Sequence, residues 1–471
     1  MTMAKVRKSC TRGLRTWLLA SAALVASLAS GQAMGLREAV SIALDSNPQI
    51  GQAIMNREAI EFELRQARGL YLPRLDAEGS YGARRLSSSE RRQDGTFDRA
   101  LNPAEAGLVA TQKLFDGFGR EAEVERQASR VDGASFRVLE RSEYIALAIA
   151  REYIEVLLQQ RILGLTNENL SFHRRILGDI DAGVRSGTLT DADKFQASER
   201  LTAALAKSKQ AEEDLATAKI RFYTLVGQQI GVASGLPSIA PSLPRSLADA
   251  IGKARTRNPQ IAMAGADVDA GEAQVKAARS RYYPELSLEG RARTGNDIDG
   301  NEGNTNDLQA RAILRWNLFD GGIKNANEQE QIRRASEMRM RLHQTHREVE
   351  EVIRISWERR ARQGELSGVL SRQTGEAGRV VSAYQDQFRV GRRSLLDVLD
   401  AQNSRFNSAV LTETARHASI LAEYRLSAAT GSLVATLGLK APAQADAYAR
   451  VKAAVPPTPE AETHRRYSPT R

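Results

Sequence analysis

The chain has 471 residues, a formal net charge of +10, one cysteine and only 5% aromatic residues. So few aromatics cannot furnish one large globular core, and the interleaved charges do not make the basic patch that nucleic acid requires. A lone cysteine excludes a disulfide framework. Residues 1–33 read as a secretory signal peptide. Lys5, Arg7, Lys8, Arg12 and Arg15 precede the apolar stretch Trp17 to Leu28, and Gly31 and Ala33 place cleavage after Ala33. The apolar run is too short for a membrane anchor. Cleavage leaves a net charge of about +5 and removes Cys10, so no cysteine follows the apolar run to accept a lipid.

Beyond the leader the chain says one thing twice. Leu36, Ala39, Ala43 and Asn47-Pro48-Gln49-Ile50 recur as Leu247, Ala250, Ala254 and Asn258-Pro259-Gln260-Ile261. Leu114-Phe115-Asp116-Gly117 recurs as Leu318-Phe319-Asp320-Gly321. Gly187, Thr190, Asp193 and Ala197 recur at the same spacing as Gly391, Ser394, Asp397 and Ala401. The order is kept, so residues 34–244 and 245–440 form two structural repeats. Their period is too long for an ordinary solenoid.

Each repeat opens with a helical stretch, 36–69 and 245–281, interrupted by a restart at Asn-Pro. Tyr71-Leu72-Pro73 and Tyr282-Tyr283-Pro284 then stop the helix, because proline disfavours helix for its predecessor. Alternation follows. Leu75, Ala77, Gly79 and Tyr81 oppose Asp76, Glu78, Ser80 and Gly82; Leu286, Leu288, Gly290 and Ala292 oppose Ser287, Glu289, Arg291 and Arg293. A second strand comes next, clear from Leu308 to Leu318 and weaker over 106–115. Strands of ~9–11 residues can cross a bilayer when tilted, and membrane barrels alternate apolar outside with polar inside. A half-exposed soluble sheet alternates too. The connections at 84–105 and 294–307 are long and polar. The second has acids, but not at the spacing of a twelve-residue calcium loop.

Helical periodicity returns at 118–185 and 323–390, which hold no proline. At ~1.5 Å per residue each could run about 100 Å. Gly187 and Gly391 break them, and another helix begins. Ala197, Leu201, Ala204, Ser208, Ala211, Leu215, Ala218, Phe222 and Leu225 then follow 4-3 spacing, as do Ala401, Arg405, Ser408, Thr412, Ala415, Ser419, Ala422, Leu426 and Ala429. This is a coiled-coil seam, made of small residues that suit a side-by-side sheet of helices. Residues 441–471, with Pro456-Pro457-Thr458-Pro459, read as a disordered tail.

The leader, the doubled helix–strand–strand–helix–helix unit and the Gly-bounded turns together resemble the TolC family of outer-membrane channels. Asn-Pro-Gln-Ile and Leu-Phe-Asp-Gly in both halves carry the resemblance, with Val390-Gly391-Arg392-Arg393-Ser394-Leu395-Leu396-Asp397-Val398-Leu399-Asp400-Ala401. It covers Leu36 to about Leu439. It implies a mainly α chain with a membrane β part: a homotrimer in which each chain gives four strands to one twelve-stranded outer-membrane barrel, and coiled helices form a periplasmic tunnel. It also implies no enzymatic activity and no cofactor. The implied partners are outer-membrane lipid, a periplasmic adaptor and an inner-membrane transporter, with an ABC transporter favoured.

The resemblance further assigns the tip. Asp397 and Asp400 match the carboxylates that ring the pore constriction. Asp193 and Arg393 match latch positions, whereas Phe388 stands where tyrosine is typical and Ala192 where threonine is typical. The latch would then rest on Asp193 with Arg389 or Arg393. Gly187, Thr190, Gly391 and Ser394 mark the corners where adaptor hairpins would dock. The plain alternative is turn chemistry: glycine ends a helix, serine or threonine starts the next, and an acid favours its first turn.

No enzyme constellation is present: no phosphate-binding glycine loop and no nucleophile motif. His343 and His346 share a helical face without a further ligand. Phe115-Asp116-Gly117-Phe118-Gly119, followed by Glu121-Ala122-Glu123-Val124, resembles members that serve type I protein secretion. Small-molecule drug or metal efflux is the alternative cargo. A periplasmic coiled-coil adaptor or scaffold is the non-channel alternative, which would leave the alternating strands unexplained.

Overall fold

The computed structural model describes residues 34–96, 99–300 and 302–456. The leader and residues 457–471 lie outside the described residues. In chain order the elements are α1 (Leu36–Ser46), α2 (Pro48–Gly69), β1 (Arg74–Tyr81), α3 (Ser89–Gln93), β2 (Ala104–Phe115), α4 (Gly119–Arg185) and α5 (Asp191–Val226). The second repeat gives α6 (Leu247–Arg257), α7 (Pro259–Ser280), β3 (Glu285–Asn296), β4 (Asn304–Arg315), α8 (Ile323–Arg389) and α9 (Leu395–Ala429). Two short turns, α10 (Leu433–Thr436) and α11 (Ala449–Lys452), end the described chain.

The three repeated motifs are three repeated junctions. Asn47 and Asn258 each cap the helix that proline starts, accepting from the amides of Gln49 at 2.9 Å and Gln260 at 2.8 Å. Each also donates through Nδ2 to the end of a distant helix, Asn47 to the Leu225 carbonyl at 3.0 Å and Asn258 to that of Ala429 at 2.8 Å. In Leu-Phe-Asp-Gly, Asp116 and Asp320 accept from the first-turn amides of Arg120 and Lys324, both at 3.1 Å. Gly117 has φ +65°, and a Cβ there would stand 2.5 Å from the Ser280 carbonyl, so strand and helix meet only around glycine.

The strands form one antiparallel sheet in the order β1-β2-β3-β4. Register aligns Glu78, Gly107, Arg293 and Asp307 in one row, and Ala77, Leu108, Ala292 and Leu308 in the next. One face is therefore charged. There Arg293 reaches Asp307 at 2.9 Å, Lys113 reaches Glu285 at 3.3 Å, and Arg311 pairs with Glu289. The opposite face leaves Leu75, Leu308 and Leu314 exposed. The alternation of β2 is weak in sequence because Gly107 and Val109 sit on its charged face. In the polar loop after β3, Arg293 also holds Asp299 at 2.5 Å, so a guanidinium supplies the positive charge there. Among the described residues no cluster could hold a metal ion, and no helix is long and apolar enough to cross a membrane.

The helices make a wall. α4 and α8, 67 residues each, run its full height, about 100 Å. Toward the sheet α4 packs on α2 and α7; away from it, on α5 and α9, and α8 packs on α7 and α9. Ala197, Ala204, Ser208, Ala211 and Ala218 are buried along α5, and Ser408, Ala415, Ala422 and Leu426 along α9, as the seam predicts; Arg405 is exposed and interrupts it. The main core lies at the waist. There Tyr153 and Phe222 meet at 6.1 Å, and the Tyr153 hydroxyl donates to the Ser234 carbonyl at 2.7 Å.

The expectation of disorder from residue 441 fails as far as residue 456. Asp132 of α4 is 2% exposed and accepts from the amides of Tyr448, Ala449 and Arg450 at 2.9, 2.8 and 3.1 Å. Arg450 bridges Asp132 at 3.0 Å and Asp269 of α7 at 2.6 Å. Composition gave no sign of this, because the groups that order the segment lie far earlier in the chain, Asp269 by 181 residues and Asp132 by 316.

Candidate functional site at the helical tip

Two corners close the end of the wall farthest from the sheet. Gly187 (φ +74°) and Gly391 (φ +72°) stop α4 and α8 in the left-handed conformation that glycine favours. Thr188 N donates to the Gly183 carbonyl at 2.9 Å and Arg392 N to that of Gln387 at 2.8 Å, which satisfies the last helical carbonyls. Thr190 and Ser394 cap the next helices, and each forms a reciprocal box with the acid three residues on. Asp193 accepts from the Thr190 hydroxyl at 2.7 Å and Asp397 from the Ser394 hydroxyl at 2.8 Å. The turn chemistry read from sequence therefore accounts for six of the named tip residues.

The latch pairs drawn from the sequence do not form within the chain. Asp193 is held by its own corner. Arg393 stays on the second hairpin, its guanidinium 4.1 Å from the centroid of the Tyr384 ring, with Gln387 at 3.1 Å and Asp397 at 3.8 Å. Arg389 pairs with Asp386 at 3.4 Å. Phe388 needs no hydroxyl, because it packs on a small apolar core of Phe172, Ile176, Ile180, Val381 and Leu395. That core joins the two hairpins.

Polar links between the hairpins are ones the sequence did not suggest: Gln402 Nε2 donates to Asn169 Oδ1 at 2.8 Å, Arg161 meets Glu413 at 3.3 Å, and a third pair lies nearest the tip. Arg200 of α5 meets Asp400 of α9 at 3.4 Å. Arg200 also adds to the burial that holds His173 of α4 below the usual imidazole range. Asp400 is exposed, whereas Asp397 is drawn into its capping box. Both proposed pore carboxylates reach solvent, the Asp400 side chain at 59% exposure and that of Asp397 at 42%. Arginine three turns into α5 carries no motif, so only the fold identifies it.

Between the corners lies a groove of about 470 Å3, bordered by Gly183, Thr188, Leu189, Phe388, Arg389 and Gly391. Leu189 folds back over Gly183, where a Cβ would stand 2.5 Å from its Cδ1. The groove is a surface on which a partner's apolar and acidic side chains could settle.

A sheet with one charged and one fully exposed apolar face, open at both edges, is stable in lipid only when neighbouring copies close it. Prolonged by a hollow wall of helices with turns at its far end, it defines an outer-membrane channel with a periplasmic tunnel. The chain belongs to the outer membrane efflux protein family, whose model matches residues 39–228 and 250–432. It is similar to the outer membrane efflux protein BepC of Brucella suis, 23% identical over 79% of this chain and 80% of that one. It is also similar to the proteases secretion protein PrtF of Dickeya chrysanthemi, 25% identical over 84% and 87%. The Campylobacter jejuni CmeC outer membrane channel shares the fold, with a TM-score of 0.74 at 15% identity over 84% of this chain and 86% of that one. This chain is therefore an outer-membrane efflux channel of the kind that works in tripartite systems, a conduit and not an enzyme. Such channels are trimeric and work with an adaptor and an inner-membrane transporter. The adaptor or scaffold reading is set aside.

Proposed function

We propose that this channel serves type I protein secretion, receiving an unfolded polypeptide from an ABC transporter through a periplasmic adaptor. The observation that carries the reading is the match to a protease secretion component along nearly the whole chain. The motif Phe115-Asp116-Gly117-Phe118-Gly119, which resembles that of members serving type I secretion, supports it. Deleting the gene should remove one or a few large proteins from the culture medium and leave resistance to dyes and metals unchanged. Normal secretion with new sensitivity to small toxic compounds would instead establish drug or metal efflux.

In the trimer, three copies of Asp400 ring the periplasmic mouth, with Asp397 behind them as helix caps. The groove bordered by Thr188, Leu189 and Gly391 receives the adaptor hairpins, and Gly187, Thr190 and Ser394 shape the two corners beside it. Its exposed Arg389 favours an acidic partner residue. Outer-membrane lipid covers the apolar face of the sheet. Cysteine pairs placed at Thr188 and on the adaptor hairpin should cross-link in cells; cross-linking only through residues far up α4 would place the adaptor elsewhere.

A further inference from the structure

A recess opens at the waist, where α7 begins and α9 ends, between α4 and α8. Its volume is about 450 Å3, within the range of small-molecule sites. Leu147, Pro259, Val349, Val352 and Ile355 give it an apolar lining. Within the single chain Val352 and Ile355 are 48% and 49% exposed, so the recess presents apolar surface that a ligand would cover. The lining comes from four helices of both repeats, each anchored in the main core, so the recess is preformed.

Charge decides what class of ligand fits. Glu140, Glu143 and Glu348 line the recess against a single guanidinium, that of Arg425. Glu143 is 5% exposed, and its two oxygens accept from the amides of Leu433 at 2.9 Å and Val434 at 3.2 Å, so its carboxyl cannot swing away to water. An anion would face the carboxylates of Glu140 and Glu348. A hydrated metal ion would face apolar walls, and the described residues offer it no ligand cluster.

We propose that the recess binds a lipophilic organic cation, its apolar body against Val349, Val352 and Ile355 and its charge toward Glu140 and Glu348. The site lies far from the tip and does not depend on which cargo the channel carries.

The test uses the full-length, detergent-solubilised protein and two probes of one shape and opposite charge, tetraphenylphosphonium and tetraphenylborate, in equilibrium dialysis. The expected result is saturable uptake of about one tetraphenylphosphonium per chain, with tetraphenylborate at least tenfold weaker. Glu140→Gln with Glu348→Gln should weaken the cation about tenfold, on the scale of two partly exposed charges. Ile355→Arg should abolish binding while leaving the assembled oligomer intact on a native gel; if that variant fails to assemble, the double glutamine variant decides alone. Absence of saturable uptake, equal uptake of both probes, or full affinity in the double variant would overturn the proposal.

Discussion

Arg200 Nη2 lies 3.4 Å from Asp400 Oδ1, and this ion pair joins the third turn of α5 in the first helical hairpin to the second turn of α9 in the other. Both side chains keep substantial exposure, so the pair itself contributes at most about 1 kcal/mol. Its position matters more than its strength, since it ties together the two bodies that must part if the mouth widens.

Arg200→Ala should therefore raise the open probability of single channels in planar bilayers by up to about fivefold, the equivalent of that energy. Heat stability should hardly change. Arg393→Ala should leave the closed state as it is, because its partners lie on its own hairpin. Asp400→Asn should both loosen the mouth and lower the preference for cations, whereas Arg200→Ala should keep that preference. Identical selectivity in wild type and Asp400→Asn would remove Asp400 from the constriction.

Much of this fold was legible because its signals are local. Proline after asparagine, glycine before a capping box and a change of period at Tyr-Leu-Pro each act over a few residues, and duplication showed each of them twice. The tip was legible only in part. Its turn chemistry is local, so the glycine stop at Gly391 and the cap at Ser394 could be read, but Arg200 and Asp400 are 200 residues apart and neither sits in a pairing motif. The C-terminal segment failed for the same reason. Its order comes from Asp132 and Asp269, and from Leu64, Ala128 and Val131, which pack on Ala449. Proline-rich composition cannot report a docking site elsewhere in the chain.

That segment gives a second prediction. Asp132→Ala would leave three amides without their acceptor and the Arg450 guanidinium with Asp269 alone, a loss of about 3 kcal/mol, the low end for a broken buried pair. The expected outcome is local. Trypsin should cut at Arg450 and Lys452 in the variant within the time the wild-type protein remains whole, while the trimer persists. Equal protection in both would show that apolar packing on Leu64 and Val131 is sufficient.

Glu143 predicts an unusual pH dependence at the waist. Burial pushes its carboxyl up to about 7, against the opposing effect of the Val434 and Leu433 amides. Glu140 on α4, Glu348 on α8 and Arg425 on α9 line the recess beside it. A carboxyl whose folded pKa exceeds its unfolded value binds its proton more tightly in the folded state. Its stabilising share is full below about pH 4.5 and is lost as pH rises through 7, a swing of about 3 kcal/mol. Glu143→Gln removes this titration. The melting temperature of wild type relative to Glu143→Gln should fall between pH 5 and pH 8; a constant difference would mean that the carboxyl does not titrate in this window.

The sheet offers the sharpest contrast, because neighbouring residues on β4 have opposite surroundings. Leu308 is 84% exposed on the apolar face, in the row of Ala77, Leu108 and Ala292. Gln309 points to the charged face, opposite Arg291. Arginine on the lipid side of a membrane strand costs about 2–4 kcal/mol at the bilayer midplane and less toward either surface, whereas the lumen tolerates charge. Leu308→Arg should therefore reduce the yield of heat-modifiable trimer in outer-membrane fractions, and Gln309→Arg should leave the yield near wild type. Moving the same substitution to Ala310, two residues along the same face, should reproduce the first defect. A larger loss from Gln309→Arg than from Leu308→Arg would reverse the assignment of the two faces, and with it the direction in which the sheet curves to close the barrel.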